Sequence, residues 1–317
     1  MTELIYKYSN LENAIEVLKD NCVKLEYPKN YNDPFDSQIG FDDKDIKKAK
    51  SIIREYLTTQ ELYKLFTSEI NKFKQKDRVL ISIARTTIWM NMSSAEMSGI
   101  YKPNALIKGL INHAFKKAEI EKSFKEAFDE QMLERSKRIR DKALMSCFSK
   151  SNKSLLMWSH YADSHKGVCI EFDRPEEAKD VQYSKKIQNF DIVYVTRSTI
   201  ANEIRHKNGK PISYDFDRIF EPFYTKGSDW RYEGEVRCVY DDSDKFGNVI
   251  EKEIIKKSGE KGIILVHKMP NPVKRVYLGC KIDKNSDNYK KLVEIANKKN
   301  IELIEMKIDE KNYKVFF

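Results

Sequence analysis

The residues best suited to chemistry lie in one short run, Trp230–Arg237. Its mixture of aromatic, charged and β-branched residues predicts a strand. Because side chains alternate between the faces of a strand, one face is expected to carry four charged residues, namely Arg231, Glu233, Glu235 and Arg237. Two interpretations stay open. The face is either solvated and lined with cross-strand ion pairs, or it is the wall of a cleft in which one carboxylate reacts and the other positions it.

A second concentration of polar and aromatic residues follows Ser149 and includes Trp158, His160 and Tyr161. Trp158 and Tyr161 are three apart, so they form either a core-facing pair or a stacking surface. One regular helix cannot bring the histidines and the aspartate of this run to one ion, because positions 160 and 165 lie roughly 140° apart on it. The sequence therefore predicts no metal site, and without a G-x-S-x-G pattern Ser149 is not a hydrolase nucleophile.

Two polar features near the N-terminus are further candidates. Lys7 lies between Tyr6 and Tyr8 on a predicted strand, so it points away from both tyrosines, into solvent or into a cleft. The run Asn32–Asp36 contains Pro34 and predicts a rigid turn. This turn is either a simple loop with side-chain-to-backbone hydrogen bonds or the polar edge of a site.

Composition limits the possible classes of protein. The chain has 317 residues, of which 40% are hydrophobic, and this is enough to bury a core. No apolar run approaches the ~20 residues that a membrane crossing needs, so no membrane is expected. The 5 cysteines are odd in number and form no C-x-x-C pair, which favours reduced thiols and a cytoplasmic location. The net charge of +9 favours an anionic partner such as nucleic acid.

The periodicity divides the chain into two parts. Residues 1–41 and 143–317 are rich in strand-like runs, and one such run is Asp191–Val195. Residues 42–142 carry apolar side chains at helical spacing, together with most of the net positive charge. We therefore predict an α+β domain built from residues 1–41 and 143–317, with residues 42–142 as a helical insertion.

The motif order resembles a bacterial family catalogued as a domain of unknown function. The motifs that carry this resemblance are Tyr6-Lys7-Tyr8, Asn32-Asp33-Pro34-Phe35-Asp36, Cys147-Phe148-Ser149, Met157-Trp158-Ser159-His160-Tyr161-Ala162, His165-Lys166-Gly167-Val168-Cys169 and Lys226 followed by Trp230–Arg237. The match extends over most of the chain outside the helical middle. It supplies no function.

A weaker resemblance to the ADP-ribosyltransferase fold does imply one. That fold has a split or strongly bent mixed β-sheet with three strand-borne elements, where Lys7, Ser149 and the pair Glu233 and Glu235 stand in this chain. The resemblance implies that Glu235 stabilises the positive charge that develops on ribose when NAD loses nicotinamide. It also implies that Glu233 activates the acceptor.

The same resemblance implies which residues bind NAD. Lys7 or Arg237 would meet the diphosphate, and Trp158 or Tyr161 would stack on the nicotinamide. The remaining cofactor-binding candidates are Tyr8, Asn32, Asp33, Ser149 and His160. The chain is thus predicted to be an NAD-consuming enzyme that transfers ADP-ribose to a protein or nucleic-acid acceptor, as a bacterial toxin or phage-defence effector.

Two other functions stay open. The first is a nucleic-acid-binding protein or nuclease that uses the basic helical region, with Asp283, Glu305 and Lys307 as a possible D…E-x-K set. The second is a non-catalytic sensor or scaffold, in which the two glutamates would be paired with arginines and no deep pocket would exist.

Overall fold

The computed structural model describes residues 3–68, 75–102, 105, 141, 143–241, 254–259, 262–309 and 311–317. The chain forms two compact units. The first consists of Met1–Gln38, Arg138–Ile187 and Phe223–Phe317, and the second of Ile39–Lys137 and Gln188–Pro222. Within the described residues, no helix has both the length and the apolar character that a membrane crossing requires.

Strands and helices are interspersed along the chain, and their bounds are as follows. The strands are β1 (Leu4–Ser9), β2 (Cys22–Lys24), β3 (Ala143–Ser149), β4 (Val168–Asp173), β5 (Lys179–Asp180), β6 (Gln182–Ser184), β7 (Thr225–Gly227), β8 (Glu235–Asp241), β9 (Ile254–Gly259), β10 (Gly262–Lys268), β11 (Arg275–Leu278), β12 (Glu302–Glu305), β13 (Lys307–Ile308) and β14 (Val315–Phe316). The α-helices are α1 (Leu11–Asp20), α2 (Asp43–Ser68), α3 (Gln75–Ser98), α4 (Leu155–Tyr161), α5 (Ile192–Lys207), α6 (Phe216–Phe220) and α7 (Asp287–Lys299). Short 3-10 turns span Pro28–Asn30, Glu221–Tyr224 and Ser228–Glu233.

The first unit is built on a sheet of seven strands in the order β12-β11-β4-β1-β3-β8-β5. The β11–β12 pair is parallel, because helix α7 connects these strands, and the other neighbours are antiparallel. A smaller sheet has the order β2-β10-β9. The prediction of an α+β chain with a mixed sheet is confirmed.

Helices cover both faces of the large sheet. On one face, Ile15 and Leu18 of α1 and Leu292 of α7 belong to the same buried core cluster as Ile5 of β1. Each helix begins with a side-chain cap, from Asn10 or Ser286, and turns its apolar residues toward the sheet. On the other face, the α4 residue Trp158 packs edge-on against Tyr8, with ring centroids 5.2 Å apart. Because side chains alternate along β1, Ile5 and Tyr8 lie on opposite faces of the sheet and belong to different core clusters.

The sheet opens between β1 and β3. In the part of the chain that the structure describes, β1 pairs with β4 over its whole length but meets β3 at a single residue pair, Tyr6 with Ser149. Farther along β3, Glu26 takes the place of β1 and exchanges two backbone hydrogen bonds of 2.9 Å with Met145. The two strands therefore diverge, and a space opens between them.

A tight turn after α4 fixes that helix against β1. Asp163, Ser164 and His165 all have positive φ angles, of 48°, 52° and 70°, which is unfavourable for residues with a Cβ. The turn closes because two glycines allow the backbones to approach. A Cβ on Gly167 would lie 2.2 Å from the Ser9 carbonyl oxygen, and one on Gly279 would lie 2.1 Å from that of His165. The strain is thus offset by close packing that holds α4 beside the opening in the sheet.

The second unit is helical. Helix α5 contacts α2 and α3, and the rings of Tyr56 and Tyr101 meet at 5.4 Å. The strand predicted at Asp191–Val195 is wrong, because these residues begin α5. The side chain of Asp191 caps this helix by accepting the N–H of Tyr194 at 2.8 Å. The segment Gln188–Pro222 thus belongs to the second unit, together with Ile39–Lys137.

Candidate active site

The strand β8 begins at Glu235 and carries Arg237 on the same face. The strand predicted from Trp230 is wrong in its first half, because Ser228–Glu233 forms a 3-10 turn. Gly234 follows in the left-handed region, with φ 50° and ψ 51°, and separates the turn from the strand. Glu233 is therefore not on the strand face of Glu235, yet both carboxylates point to the same place because the turn folds back.

Arg237 is fully buried and is the centre of the cluster. Its Nη1 and Nη2 donate to the two carboxylate oxygens of Asp36 at 2.8 and 2.7 Å. Its Nε and Nη2 donate to the two oxygens of Glu235 at 2.7 and 3.1 Å. The last N–H donates to the backbone carbonyl of Phe223 at 2.7 Å. All the donors of this guanidinium are satisfied, as a buried arginine requires.

Lys226 is a second buried cation, and it joins the two glutamates. Its Nζ lies 2.6 Å from Glu233 Oε2, 3.2 Å from Glu235 Oε2 and 3.7 Å from Asp36 Oδ2. The ammonium also lies over the ring of Trp230, 4.7 Å from its centroid. Burial would lower the pKa of Lys226, but the carboxylates outweigh it and raise the pKa, so this lysine stays charged.

The two glutamates have opposite acid–base properties. Burial would raise the pKa of Glu235, but Arg237 and Lys226 lower it to about 2, so Glu235 is a permanent anion. For Glu233 burial is the larger effect, and its pKa is raised although Lys226 opposes the shift. Paired carboxyl groups with divergent pKa values are the arrangement that separates a charge-stabilising group from a proton-transfer group.

A cleft of about 780 Å³ in the first unit reaches this cluster. Its walls are parts of β1, α1, β3 and α4, so it occupies the opening between β1 and β3. Glu233, Glu235 and Lys226 line one region of it. The volume is within the ~300–1,000 Å³ that small-molecule sites usually have.

Lys7 lies in the opening itself. Its Nζ donates to the Cys147 carbonyl oxygen at 2.9 Å and lies 3.4 Å from the Ser146 hydroxyl, both on β3. The ammonium lies over the ring of Phe148, 5.1 Å from its centroid. Within the described part of the chain no carboxylate lies within ion-pair distance of Lys7, and burial lowers its pKa. Lys7 is thus a cation of the cleft wall whose charge is not already neutralised.

Aromatic residues stand around Glu233. The hydroxyl of Tyr161 donates to Glu233 Oε1 at 2.6 Å. His160 is exposed, and its ring lies 6.3 Å from that of Tyr161 and 6.2 Å from that of Tyr232. Trp158 is fully buried, and its Nε1 donates to the Asn152 carbonyl oxygen at 2.8 Å. Tyr161 and His160 therefore line the cleft, whereas Trp158 belongs to the core.

The other sequence-predicted residues fall into two groups. Tyr8, Asn32 and Ser149 line the cleft. The Ser149 hydroxyl donates to the Glu233 carbonyl oxygen at 2.6 Å and holds the turn, and the Tyr8 hydroxyl donates to the Ser151 carbonyl oxygen at 2.8 Å. Asp33 is buried away from the cleft lining and accepts the N–H of Phe35 at 2.9 Å.

Asp36 and Lys226 stand in the motifs of the family resemblance, but sequence reasoning assigned neither of them to the site. Asp36 is the second aspartate of the run Asn32–Asp36, and nothing in the pattern indicates which of the two aspartates turns inward. Lys226 reaches the glutamates because Ser228–Glu233 is a 3-10 turn, which the strand prediction did not include. Asp283, Glu305 and Lys307 line no part of the described cleft, and Glu305 is half exposed and paired with Lys284.

We expect the substitution Tyr161→Phe to raise the pKa of Glu233. The lost hydrogen bond stabilises the ionised carboxylate, so its removal favours the protonated form. The measurement is a ¹³C NMR titration of the Glu233 carboxyl carbon. Tyr313→Phe is the control, because Tyr313 is 99% exposed. A Glu233 titration that is the same in Tyr161→Phe as in wild type would contradict the assigned hydrogen bond.

Part of the chain matches a family model. No curated protein and no solved structure matches the chain. The predicted resemblance to a family of unknown function is confirmed over the part of the chain that carries α4, Lys226, both glutamates and Arg237. Residues 157–238 match the family described as Protein of unknown function (DUF2971).

Proposed function

We propose that the protein is an ADP-ribosyltransferase-like enzyme that consumes NAD and transfers ADP-ribose to a protein or nucleic-acid acceptor. The observation that carries the proposal is the pair Glu233 and Glu235, whose pKa values diverge at the wall of a cleft in an opened sheet. The divergence of β1 from β3 supports a split, ADP-ribosyltransferase-like sheet.

The charges of the cleft suit NAD. Oxidised NAD combines a positive nicotinamide ring with a negative diphosphate. In this proposal the ring faces the carboxylates of Glu233 and Glu235, beside Tyr161 and His160. Lys226 and Arg237 are bound by the carboxylates of the cluster, and Lys24 of the cleft wall is paired with Glu26. Among the described residues that line the cleft, Lys7 is therefore the lysine without an ion pair, and it is placed to meet the diphosphate.

The reaction follows from the two glutamates. The bond between the nicotinamide nitrogen and ribose C1′ breaks, and its electron pair leaves with neutral nicotinamide. The permanent negative charge of Glu235 stabilises the positive charge on the ribose ring. Glu233 accepts the proton of the acceptor nucleophile as that nucleophile bonds to C1′, a step that its raised pKa favours. The water-excluding burial of both groups strengthens these effects.

The test is incubation of the full chain with NAD while released nicotinamide is measured. We expect release from NAD but not from NADH, because the reduced ring carries no positive charge and leaves poorly. Parallel incubations with protein mixtures, single-stranded DNA and RNA would reveal the acceptor through attached ADP-ribose. No release with any of these acceptors would overturn the proposal. A cytoplasmic toxin or phage-defence role stays a prediction.

One observation favours a second candidate, a non-catalytic scaffold. Such a protein would pair its glutamates with arginines, and Glu235 is bound by Arg237 in this way. The cleft is the feature that this alternative does not explain, because a purely structural ion cluster needs no accessible wall. Absence of NAD binding in calorimetry would favour the scaffold.

A further inference from the structure

Asp36 belongs to the buried cluster but has no role in the proposed reaction. It is buried with a relative exposure of 2%, and both of its oxygens accept from Arg237. Its position is fixed from within its own turn, because its N–H donates to the Asp33 carbonyl oxygen at 3.1 Å. The Ser37 hydroxyl donates to its Oδ1 at 2.9 Å. A carboxylate held this firmly determines the plane of the guanidinium that it binds.

The orientation of Arg237 decides the orientation of Glu235. The two residues are neighbours on one face of β8, so strand geometry alone does not fix their long side chains relative to each other. Asp36 and the Phe223 carbonyl oxygen hold one edge of the guanidinium, and the other edge then faces Glu235. Supporting contacts of this kind keep a reacting group within the ~0.5 Å that catalysis requires.

Asp36 also sets the charge of the cluster. Asp36, Glu233 and Glu235 face the two cations Lys226 and Arg237, so the ionised cluster keeps one negative charge in excess. Without Asp36 the same groups would sum to zero. The excess anion stands where the proposed reaction develops positive charge.

We infer that Asp36 is a positioning residue that holds Glu235 in its working orientation through Arg237. The catalytic part of this inference rests on the proposed function. Asp36→Asn preserves shape and removes the charge. We expect it to lower kcat for nicotinamide release by about 10- to 100-fold, with KM for NAD within about threefold of wild type. A loss of packing alone would not separate kcat from KM in this way.

The matched control is Glu171→Gln. Glu171 is also buried and is also bound by an arginine, Arg275, at 3.1 Å, but it does not line the cleft. If Asp36→Asn and Glu171→Gln have the same kcat, the inference is overturned. Should Asp36→Asn fail to fold, Arg237→Lys decides the matter, since lysine keeps the charge but cannot bind both carboxylates as a fork. A wild-type kcat in that variant would equally overturn it.

Crystal structures of the wild type and Asp36→Asn separate this inference from the proposed function. We expect the Glu235 carboxylate to move by more than about 0.5 Å in the variant. An unmoved Glu235 overturns the positioning role even if the wild type releases nicotinamide. A displaced Glu235 supports that role even if the wild type releases none, in which case only the proposed function fails.

Discussion

Replacing Glu235 by glutamine is expected to lower kcat for nicotinamide release by about 10²–10³-fold. Losses of this size follow when one preorganised group that stabilises developing charge is removed. Glutamine has the shape of glutamate and still accepts one hydrogen bond from Arg237, so the cleft keeps its form. What disappears is the permanent negative charge that a pKa of about 2 guarantees.

The pH dependence of nicotinamide release reports the protonation of the second glutamate, Glu233. Because Glu235 is ionised at every pH above about 2, the acid limb of the wild-type rate profile reports Glu233, whose pKa is raised. The rate should fall as the pH drops through that pKa, because protonated Glu233 cannot accept a proton. Tyr161→Phe should move the limb to higher pH. Undiminished turnover in Glu235→Gln would remove Glu235 from the mechanism.

Replacing Arg237 by methionine is expected to lower the free energy of unfolding by about 3–5 kcal/mol. The substitution leaves Asp36 and Glu235 buried without their shared cation, and uncompensated buried charge is among the costliest defects in a protein. Lys226 remains near both carboxylates and compensates only in part, because it already binds Glu233.

Urea denaturation followed by circular dichroism measures this effect. The control is Lys284→Met, which breaks the ion pair with Glu305 in the same unit. Both side chains of that pair are about half exposed, so a cost of only ~0–1 kcal/mol is expected. Equal midpoints for the two variants would show that the buried cluster does not stabilise the first unit. Because Arg237 and Lys226 lower the pKa of Glu235 from 4.5 to about 2, the stability linked to its ionisation is fully present above pH 4.5 and is lost as the pH falls toward 2.

Local patterning was sufficient to predict much of the first unit. Alternation in strands β1, β3 and β4 and helical spacing in α1 and α7 are local patterns that indicate these elements. Helix α5 was missed because its start, Ile192–Val195, is rich in β-branched residues. Tertiary contact with α2 and α3 outweighs that local preference, and no pattern within one segment reveals such contact.

The candidate site was only partly visible in the sequence. Glu233 and Glu235 could be chosen as site candidates because two glutamates two residues apart are unusual in an apolar run. Lys7 could be chosen because it lies between two tyrosines. The contact between Asp36 and Arg237 joins residues 201 positions apart, so its existence depends on the fold and not on spacing. The 3-10 turn at Glu233 depends on Gly234, whose left-handed conformation was not predicted from its place within a strand-like run.

The hydrogen bonds of Arg237 bear on how this chain tolerates changes in loop length. Asp36 lies two residues before the first unit's opening segment ends at Gln38, and Phe223 is the residue at which the chain returns to that unit. The guanidinium of Arg237 therefore binds a residue near each of these two chain connections, Asp36 and Phe223, to strand β8. Surface loops usually accept insertions readily. An insertion beside Asp36 or Phe223 would displace a hydrogen-bond partner of the buried Arg237. We therefore expect both connections to tolerate insertions poorly.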